Sequence, residues 1–316
     1  MRPITTAPAT PFIKVVRPSW VPRYQRGVSL LELMVGVAIG LLVVAVAMGA
    51  LMVSRGVSGT VSDASAIQQQ AAYAMRVIGL QLRQAGSLYL NPNPTDAAAS
   101  EVLSAPVAFE AKADPPSGSS STYSFNPTTD TVSGTSNPAT LTISYRRYKE
   151  SVHTSATQQT ISRNCLGGPS DDTAPRKDDQ RVESAFRFDA TKNELRCGGN
   201  GATDQPIVQN VADFQVRYLL QDNSNPADTR IQYVDASAVG SNWSRVQAVE
   251  VCLVLYGSEP IDMPAGSTYT GCGNDATPAN NLVDMTTLTG ARARRMHIAF
   301  RNVFQLRSQG LVGTVL

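Results

Sequence analysis

Residues that commonly carry enzymatic chemistry are scarce in this chain of 316 residues. Its two histidines are His153 and His297, and the chain has no H-E-x-x-H, G-x-S-x-G or G-x-x-x-x-G-K-[ST] motif. Neither histidine has a partner in the sequence that suggests a catalytic pair. We therefore expect no catalytic residue, no metal site and no cofactor, and the chain is not predicted to be an enzyme.

Two pairs of adjacent acids, Asp171-Asp172 and Asp178-Asp179, flank a proline-containing segment. Paired carboxylates can supply the oxygen ligands that Ca²⁺ prefers, but this spacing does not match an EF-hand loop. The alternative is a solvated acidic loop without a metal, which we favour.

The chain has four cysteines, which can pair in three ways. Nearest-neighbour pairing would join Cys165 to Cys197 and Cys252 to Cys272, and each bond would add about 3–4 kcal/mol on the chain-entropy estimate. Disulfides require an oxidising compartment such as the periplasm. Buried free thiols are the alternative.

Glu32 lies where a carboxylate is unexpected, at the start of a strongly apolar segment. Residues 33–53 are 21 uncharged residues, which is enough for a helix to cross a bilayer core of roughly 30 Å. Five basic residues precede the segment and favour a cytoplasmic N-terminus; they are Arg2, Lys14, Arg17, Arg23 and Arg26. The segment fits a secretory signal, a signal anchor or a leader that is cut before the apolar run.

The carboxylate separates these three possibilities. A charge within a bilayer is costly and is a functional candidate by default, and a secretory signal has no use for one. If the chain is cut after Gly27, Val28 carries a new α-amine, which Glu32 of a neighbouring subunit can neutralise. The alternative is that Glu32 stays at the membrane interface, where the helix N-terminal dipole favours an acid.

The sequence Arg26-Gly27-Val28-Ser29-Leu30-Leu31-Glu32-Leu33-Met34-Val35-Gly36 resembles the N-terminal motif of type IV pilins and type II secretion pseudopilins. The resemblance implies cleavage between Gly27 and Val28, N-methylation of Val28 and an assembly role for the charge of Glu32. Most members have Phe as the first mature residue, where this chain has Val28.

The rest of the chain predicts one long helix and a β-rich head. No proline occurs between Val28 and Ala85, and apolar residues recur every three or four positions from Ile67 to Ala85, with Gly86 as the C-cap. Alternating runs after residue 139, and the apolar run Val246–Tyr256, predict antiparallel strands. The fold class is α+β. The predicted segments are a leader at 1–27, the helix at 28–86 (apolar at 28–53, amphipathic at 54–86), loops with one or two weak strands at 87–138 and the head at 139–316.

Several head segments resemble PilW-type minor pilins, among them Val211-Ala212-Asp213-Phe214-Gln215-Val216-Arg217-Tyr218 and Arg294-Arg295-Met296-His297-Ile298-Ala299-Phe300. The resemblance implies a minor pilin that primes type IV pilus assembly and lies at or near the pilus tip. Its implied partners are prepilin peptidase, the inner-membrane assembly platform, the major pilin, other minor pilins and a large tip adhesin. The protein would cross the inner membrane once, with its head in the periplasm, before it joins the pilus.

Two alternatives remain at this stage. The J-type pseudopilin of a type II secretion system has the same architecture. A tip adhesin or DNA-binding pilin could use a C-terminal stretch that contains arginines and no acid; they are Arg292, Arg294, Arg295, Arg301 and Arg307. Beyond residue 27 the chain has 22 basic and 25 acidic residues, a balance that does not favour nucleic acid.

Overall fold

The structure is a computed structural model. It describes residues 27–86, 89–90, 107–108, 125–126, 128–147, 153, 156, 161–169, 181–222, 230–273 and 281–307. The chain divides into two compact units, residues 1–55 and 56–316.

One long helix, α1 (Leu30–Gln84), dominates the N-terminal part of the chain. It is free of proline, and it ends where Gly86 adopts a left-handed φ of 52°, which a glycine accepts without steric cost. The predicted helix and its predicted C-cap are therefore confirmed.

Short strands lie between the helix and the first large sheet. Strands β1 (Tyr89–Leu90) and β2 (Val107–Ala108) pair with each other. Strand β3 (Val132–Ser136) already belongs to the large sheet, so the sheet begins before the predicted head boundary at 139.

The first large sheet has five antiparallel strands in sequence order. After β3 come β4 (Ala139–Arg146), β5 (Arg181–Asp189), β6 (Glu194–Gly199) and β7 (Ala202–Gln209). The predicted hairpin of Phe186, Phe188 and Leu195 is formed by β5 and β6, whose turn includes Asn193 with a φ of 53°.

The second large sheet has four antiparallel strands in the order β13-β10-β8-β9. They are β8 (Val211–Asp222), β9 (Arg230–Val234), β10 (Val246–Tyr256) and β13 (His297–Gln305). The apolar run at 246–256 is a central strand, as predicted, because it lies between β8 and β13 and is buried on both faces.

Small elements complete the head. A short helix α2 (Ala236–Val239) precedes a 3₁₀ turn at Trp243–Arg245, and β11 (Thr268–Thr270) pairs with β12 (Leu282–Asp284). Further 3₁₀ turns lie at Met285–Thr287 and Gly290–Arg292.

One hydrophobic core joins the second half of α1 to both large sheets. The helix contributes a buried stripe of Ile67, Ala71, Ala74, Ile78, Leu82 and Ala85. The stripe lies in one core together with Phe186 of β5, Phe214 of β8 and Leu253 of β10. Spacings of three and four place the apolar residues on one helix face, which explains why this half of α1 packs on a head. The predicted α+β fold is present.

Candidate assembly site

The first turn of α1 is capped by Ser29. The backbone N–H of Glu32 donates to Ser29 Oγ over 3.2 Å, and the N–H of Leu33 donates to the Ser29 carbonyl over 3.1 Å. Ser29 and Glu32 have the S-x-x-E spacing of a capping box, and an acid in the first turn is favoured by the helix dipole. This S-x-x-E spacing was not used to predict a helix cap. It gives Glu32 a local structural role beside its charge.

The surface of α1 that follows Glu32 is apolar on every side. All described residues from 27 to 56 are exposed, including Leu30 at 77% and Val53 at 69%, and Glu32 is the one charged residue between Gly27 and Ser54. By length and composition the helix is apolar enough to cross a membrane. This segment therefore needs a covering of lipid or of other protein chains.

The opposite half of α1 is fixed to the head by polar contacts as well as by its apolar stripe. Asp63 is buried and accepts hydrogen bonds from Ser258 Oγ at 2.7 Å and from the backbone N–H of Glu259 at 2.8 Å. A Cβ on Gly257 would lie 2.5 Å from Asp63 Oδ2, so glycine is needed for this close approach. Burial raises the pKa of Asp63, but these hydrogen bonds and the charge of Arg295 together hold it below the usual 3.8.

A second buried polar contact lies near the end of the helix. Ser184 Oγ on β5 donates to Gln81 Oε1 over 2.8 Å and accepts from the N–H of Cys165 over 3.0 Å. Because Gln81 and Ser184 are both buried, losing either would leave the other unsatisfied. The contact links the helix to the sheet and to the loop that carries Cys165.

The four cysteines form two disulfides with the nearest-neighbour pairing. Cys165 is bonded to Cys197 on β6, and Cys252 on β10 is bonded to Cys272 beside β11. The first bond ties the loop at 161–169 to the five-stranded sheet, and the second ties the β11 region to the outer face of the four-stranded sheet. Cys252 and Cys272 lie in a small core of their own with Val254 and Tyr256.

Comparison with protein families gives two matches to this chain. Residues 185–308, from β5 to just beyond β13, match the model of type IV pilus-assembly protein W, PilW. Residues 22–48, which include Gly27, Val28 and Glu32, match the prokaryotic N-terminal methylation motif. Together the two matches support a type IV pilus minor pilin of the PilW family.

The chain was also compared with curated proteins and with solved structures. The comparison with curated proteins gave no significant match. Among solved structures, a type IV-like pilin from Thermus thermophilus aligns with a TM-score of 0.29 and 15% identity, over 56% of this chain and 83% of that one.

Most of the arginines that could form a DNA-binding surface have partners within the head. Arg292 donates to Tyr269 Oη over 3.0 Å, Arg294 pairs with Asp262, and Arg295 donates to the Gly257 carbonyl over 3.1 Å. Arg301 pairs with Glu250 at 2.8 Å. Arg307 is the member of this set without a partner among the described residues, so the head offers no continuous row of free cations there.

Glu250 joins three strands on the outer face of the four-stranded sheet. Its side chain is buried and accepts from Arg217 on β8 at 2.7 Å and from Arg301 on β13 at 2.8 Å. A buried carboxylate without partners would be costly, so this triad is a structural crosslink of neighbouring strands. The sequence shows no local signal for it, since the three residues lie far apart in the chain.

His297 is a buried structural residue of the head. Its ring stacks on Tyr269 at 4.9 Å, its Nδ1 contacts the Arg295 carbonyl at 2.8 Å, and Arg292 Nε donates to its Nε2 over 3.4 Å. Burial is the main cause that lowers the pKa of His297, and the charge of Arg292 acts in the same direction. These contacts account for both ring nitrogens, and His297 lies on a strand face as predicted.

Other candidate residues from the sequence are not part of these contacts. His153 is exposed. The acid pairs at 171–172 and 178–179 lie outside the described residues. Within the described part of the chain, no group of three His, Cys, Asp or Glu residues could hold a metal ion.

Proposed function

We propose that this chain is a minor pilin that prepilin peptidase cuts between Gly27 and Val28, and that it enters the pilus through the apolar half of α1. The observation that carries the proposal is the exposed apolar helix surface with one carboxylate, Glu32, in its first turn. A helix of this kind suits the inner membrane first and a bundle of similar helices afterwards.

Electrostatics give Glu32 its role in this proposal. A carboxylate among apolar helices costs at least a few kcal/mol unless an opposite charge neutralises it. Cleavage after Gly27 creates such a charge, the α-amine of Val28, which lies next to the first turn of the helix. Glu32 of one subunit and Val28 of its neighbour would then set the axial position at which two helices pack, and Val28 is the proposed site of N-methylation.

The head supports a periplasmic location in this proposal. Two disulfides suit an oxidising compartment, and the basic residues before Val28 favour retention of the N-terminus in the cytoplasm. Because the family model that matches the head is one of pilus assembly, we propose a pilus rather than a secretion pseudopilus.

We further propose that the protein primes pilus assembly together with other minor pilins and stays at or near the tip. It would meet the assembly platform in the inner membrane, and the major pilin and a large tip adhesin in the fibre. The PilW match to the head supports a role in selecting neighbouring subunits.

Two measurements test the proposal. Mass spectrometry of the protein extracted from membranes should show Val28 as the first residue; an intact leader would refute processing at Gly27. Glu32→Gln should leave processing intact and reduce incorporation into sheared pili, as measured by immunoblot.

The glutamine variant also separates the two roles of Glu32. Gln retains the side-chain shape and the hydrogen bonding of a capping box but removes the charge. Ser29→Ala is the matched control, because it removes the cap, at about 1 kcal/mol, and keeps the charge. If Glu32→Gln is piliated normally and Ser29→Ala is not, Glu32 acts as a capping residue and the proposed charge pairing is wrong.

A further inference from the structure

The outer edge of the four-stranded sheet, strand β13, has unpaired backbone groups. Among the described residues, β13 pairs with β10 on one side and with no strand on the other. Two hydrogen bonds fix which residues point inward: Leu306 N–H donates to the Gln247 carbonyl, and Gly257 N–H donates to the Met296 carbonyl, both over 2.9 Å. Since hydrogen-bonded pairs alternate along an antiparallel ladder, the even-numbered residues of β13 bond to β10.

The odd-numbered residues therefore direct their backbone groups outward. Arg301, Val303 and Gln305 are exposed there, and Val303 is 44% exposed. The N–H of Val303 is bonded to the side chain of Asn302 over 2.9 Å, whereas the N–H groups of Arg301 and Gln305 have no partner among the described residues. Such an edge is a template for one more strand.

A groove runs beside this edge on the helix side of the sheet. It has a volume of about 420 Å³ and lies between β13 and the second half of α1. Met75, Gly79, Leu80 and Phe304 provide apolar walls, and a Cβ on Gly79 would lie 2.6 Å from the Phe304 ring, so glycine lets the ring lie against the helix. Leu80 is 45% exposed. Alternate side chains of an added strand would enter this groove.

The charge around the groove specifies the partner. Arg76 and Arg83 line it, are exposed, and make no ion pair with any described residue. Arg307, just beyond the end of β13, is also exposed and unpaired in the described part of the chain. Among the described residues, these three exposed and unpaired cations, with no acid lining the groove, favour a partner with carboxylates.

The other sheet edges fit a partner less well. β7 contains Pro206, which cannot donate a hydrogen bond, and β3 and β9 have five residues each, against nine in β13. None of these three strands lines the groove between β13 and α1.

We propose that β13 and the adjoining groove form a strand-addition site for an extended segment of a neighbouring pilus subunit, whose groove-facing side chains include both apolar and acidic residues. Backbone hydrogen bonds to Arg301 and Gln305 would supply affinity, and Arg76 and Arg83 would select the acidic partner. The proposed function supplies only the source of the segment, because the site itself is a property of this head.

The test uses the full chain in detergent and a fluorescent peptide of eight residues. Threonine occupies every other position of the peptide, and valine and glutamate take turns at the positions between, so that both side chains can face the groove. We expect saturable binding by fluorescence anisotropy, and about tenfold weaker binding when lysine replaces glutamate. Amide hydrogen exchange at Arg301 and Gln305 should slow when the peptide binds. A peptide N-methylated on alternate residues, along the edge that would face β13, should not bind.

Variants of the chain make the test specific. Gln305→Pro removes an outward N–H but no bond to β10, and should abolish binding, whereas Gln305→Ala keeps the N–H and should bind as the parent does. Arg76→Glu with Arg83→Glu should reverse the preference between the two peptides.

Three outcomes would overturn the proposal: no binding of the glutamate peptide, equal binding of the lysine peptide, or unchanged binding to Gln305→Pro with normal thermal unfolding. Self-association of the chain that is lost in Gln305→Pro would assign the edge to a second copy and would also overturn it. If Gln305→Pro fails to fold, tight binding of the N-methylated peptide is the result that decides against strand addition. Failure here leaves the cleavage and Glu32 tests untouched, so the two proposals can fail separately.

Discussion

Replacing Leu82 by alanine should strongly destabilise the head, because Leu82 is part of the buried stripe that α1 packs onto the two sheets. Its side chain is 0% exposed and lies in the main core. Leu→Ala substitutions in well-packed cores cost about 2.7–5 kcal/mol, while the better helix propensity of alanine returns only a few tenths. We therefore expect a loss of about 3 kcal/mol in the free energy of unfolding.

The matched control lies two residues away on the same helix. Leu80 is 45% exposed, so Leu80→Ala should change the free energy of unfolding by roughly 0.5 kcal/mol or less. Both substitutions remove the same atoms from α1, and only their faces differ. The difference between them therefore measures the packing of the helix on the head.

Urea denaturation of the chain from Val28 onward, in detergent, gives the measurement. Trp243 packs edge-on against Tyr218 of β8, with ring centroids 5.0 Å apart, and it is the single tryptophan in a chain that begins at Val28. Its fluorescence therefore reports on unfolding of the head. At a denaturant dependence of about 3 kcal/mol/M, the midpoint of Leu82→Ala should fall by about 1 M. Equal midpoints for the two variants would refute the packing of α1 described above.

Two further predictions concern the head. Because the pKa of Asp63 is lowered in the folded state, its carboxylate stabilises the fold above the unfolded-state pKa near 3.8, and this contribution is lost as the pH falls through the lower folded-state pKa. Asp63→Asn should thus be clearly less stable than the parent at pH 7, and the difference in stability should narrow in urea titrations below pH 3.8. A difference that stays constant with pH would contradict the assignment. Cys252→Ser with Cys272→Ser should cost about 3 kcal/mol, since the bond closes a loop of 20 residues. In thermal scans, reductant should lower the midpoint of the oxidised parent by more than that of the double variant, which retains the Cys165–Cys197 bond; equal shifts would contradict the assignment.

The elements that the sequence predicted best are those whose pattern is set by burial on one or both faces. The three- and four-residue spacing from Ile67 to Ala85 reflects one buried helix face, and the apolar run of β10 reflects burial on two faces. β7 was not predicted, because six of its eight residues, including Pro206, are exposed or polar and only Val208 is buried. Its strand conformation comes from pairing with β6 and not from its own side chains.

Contacts between distant parts of the chain could not be predicted from the sequence pattern either. Asp63 meets Ser258 across 195 positions, and Gln81 meets Ser184 across 103. Each of these polar residues alone is typical of a solvated helix face, and only the packing of the helix shows that it is buried. The capping box of Ser29 and Glu32, in contrast, can be predicted from the spacing of the two residues alone. It was not predicted because Glu32 was interpreted only through its charge.

The two polar contacts of α1 bear on how a fibre subunit carries tension. Asp63 and Gln81 are 18 residues apart and lie near opposite ends of the buried stripe, about 27 Å from each other along a helix. A load along the helix axis is therefore resisted in shear, and sliding the helix by a single turn of about 5.4 Å would break both contacts and move every apolar residue of the stripe out of place. Under such a load the contact between α1 and the head would break in one step and not residue by residue. This mechanical property suits a subunit in a fibre under tension.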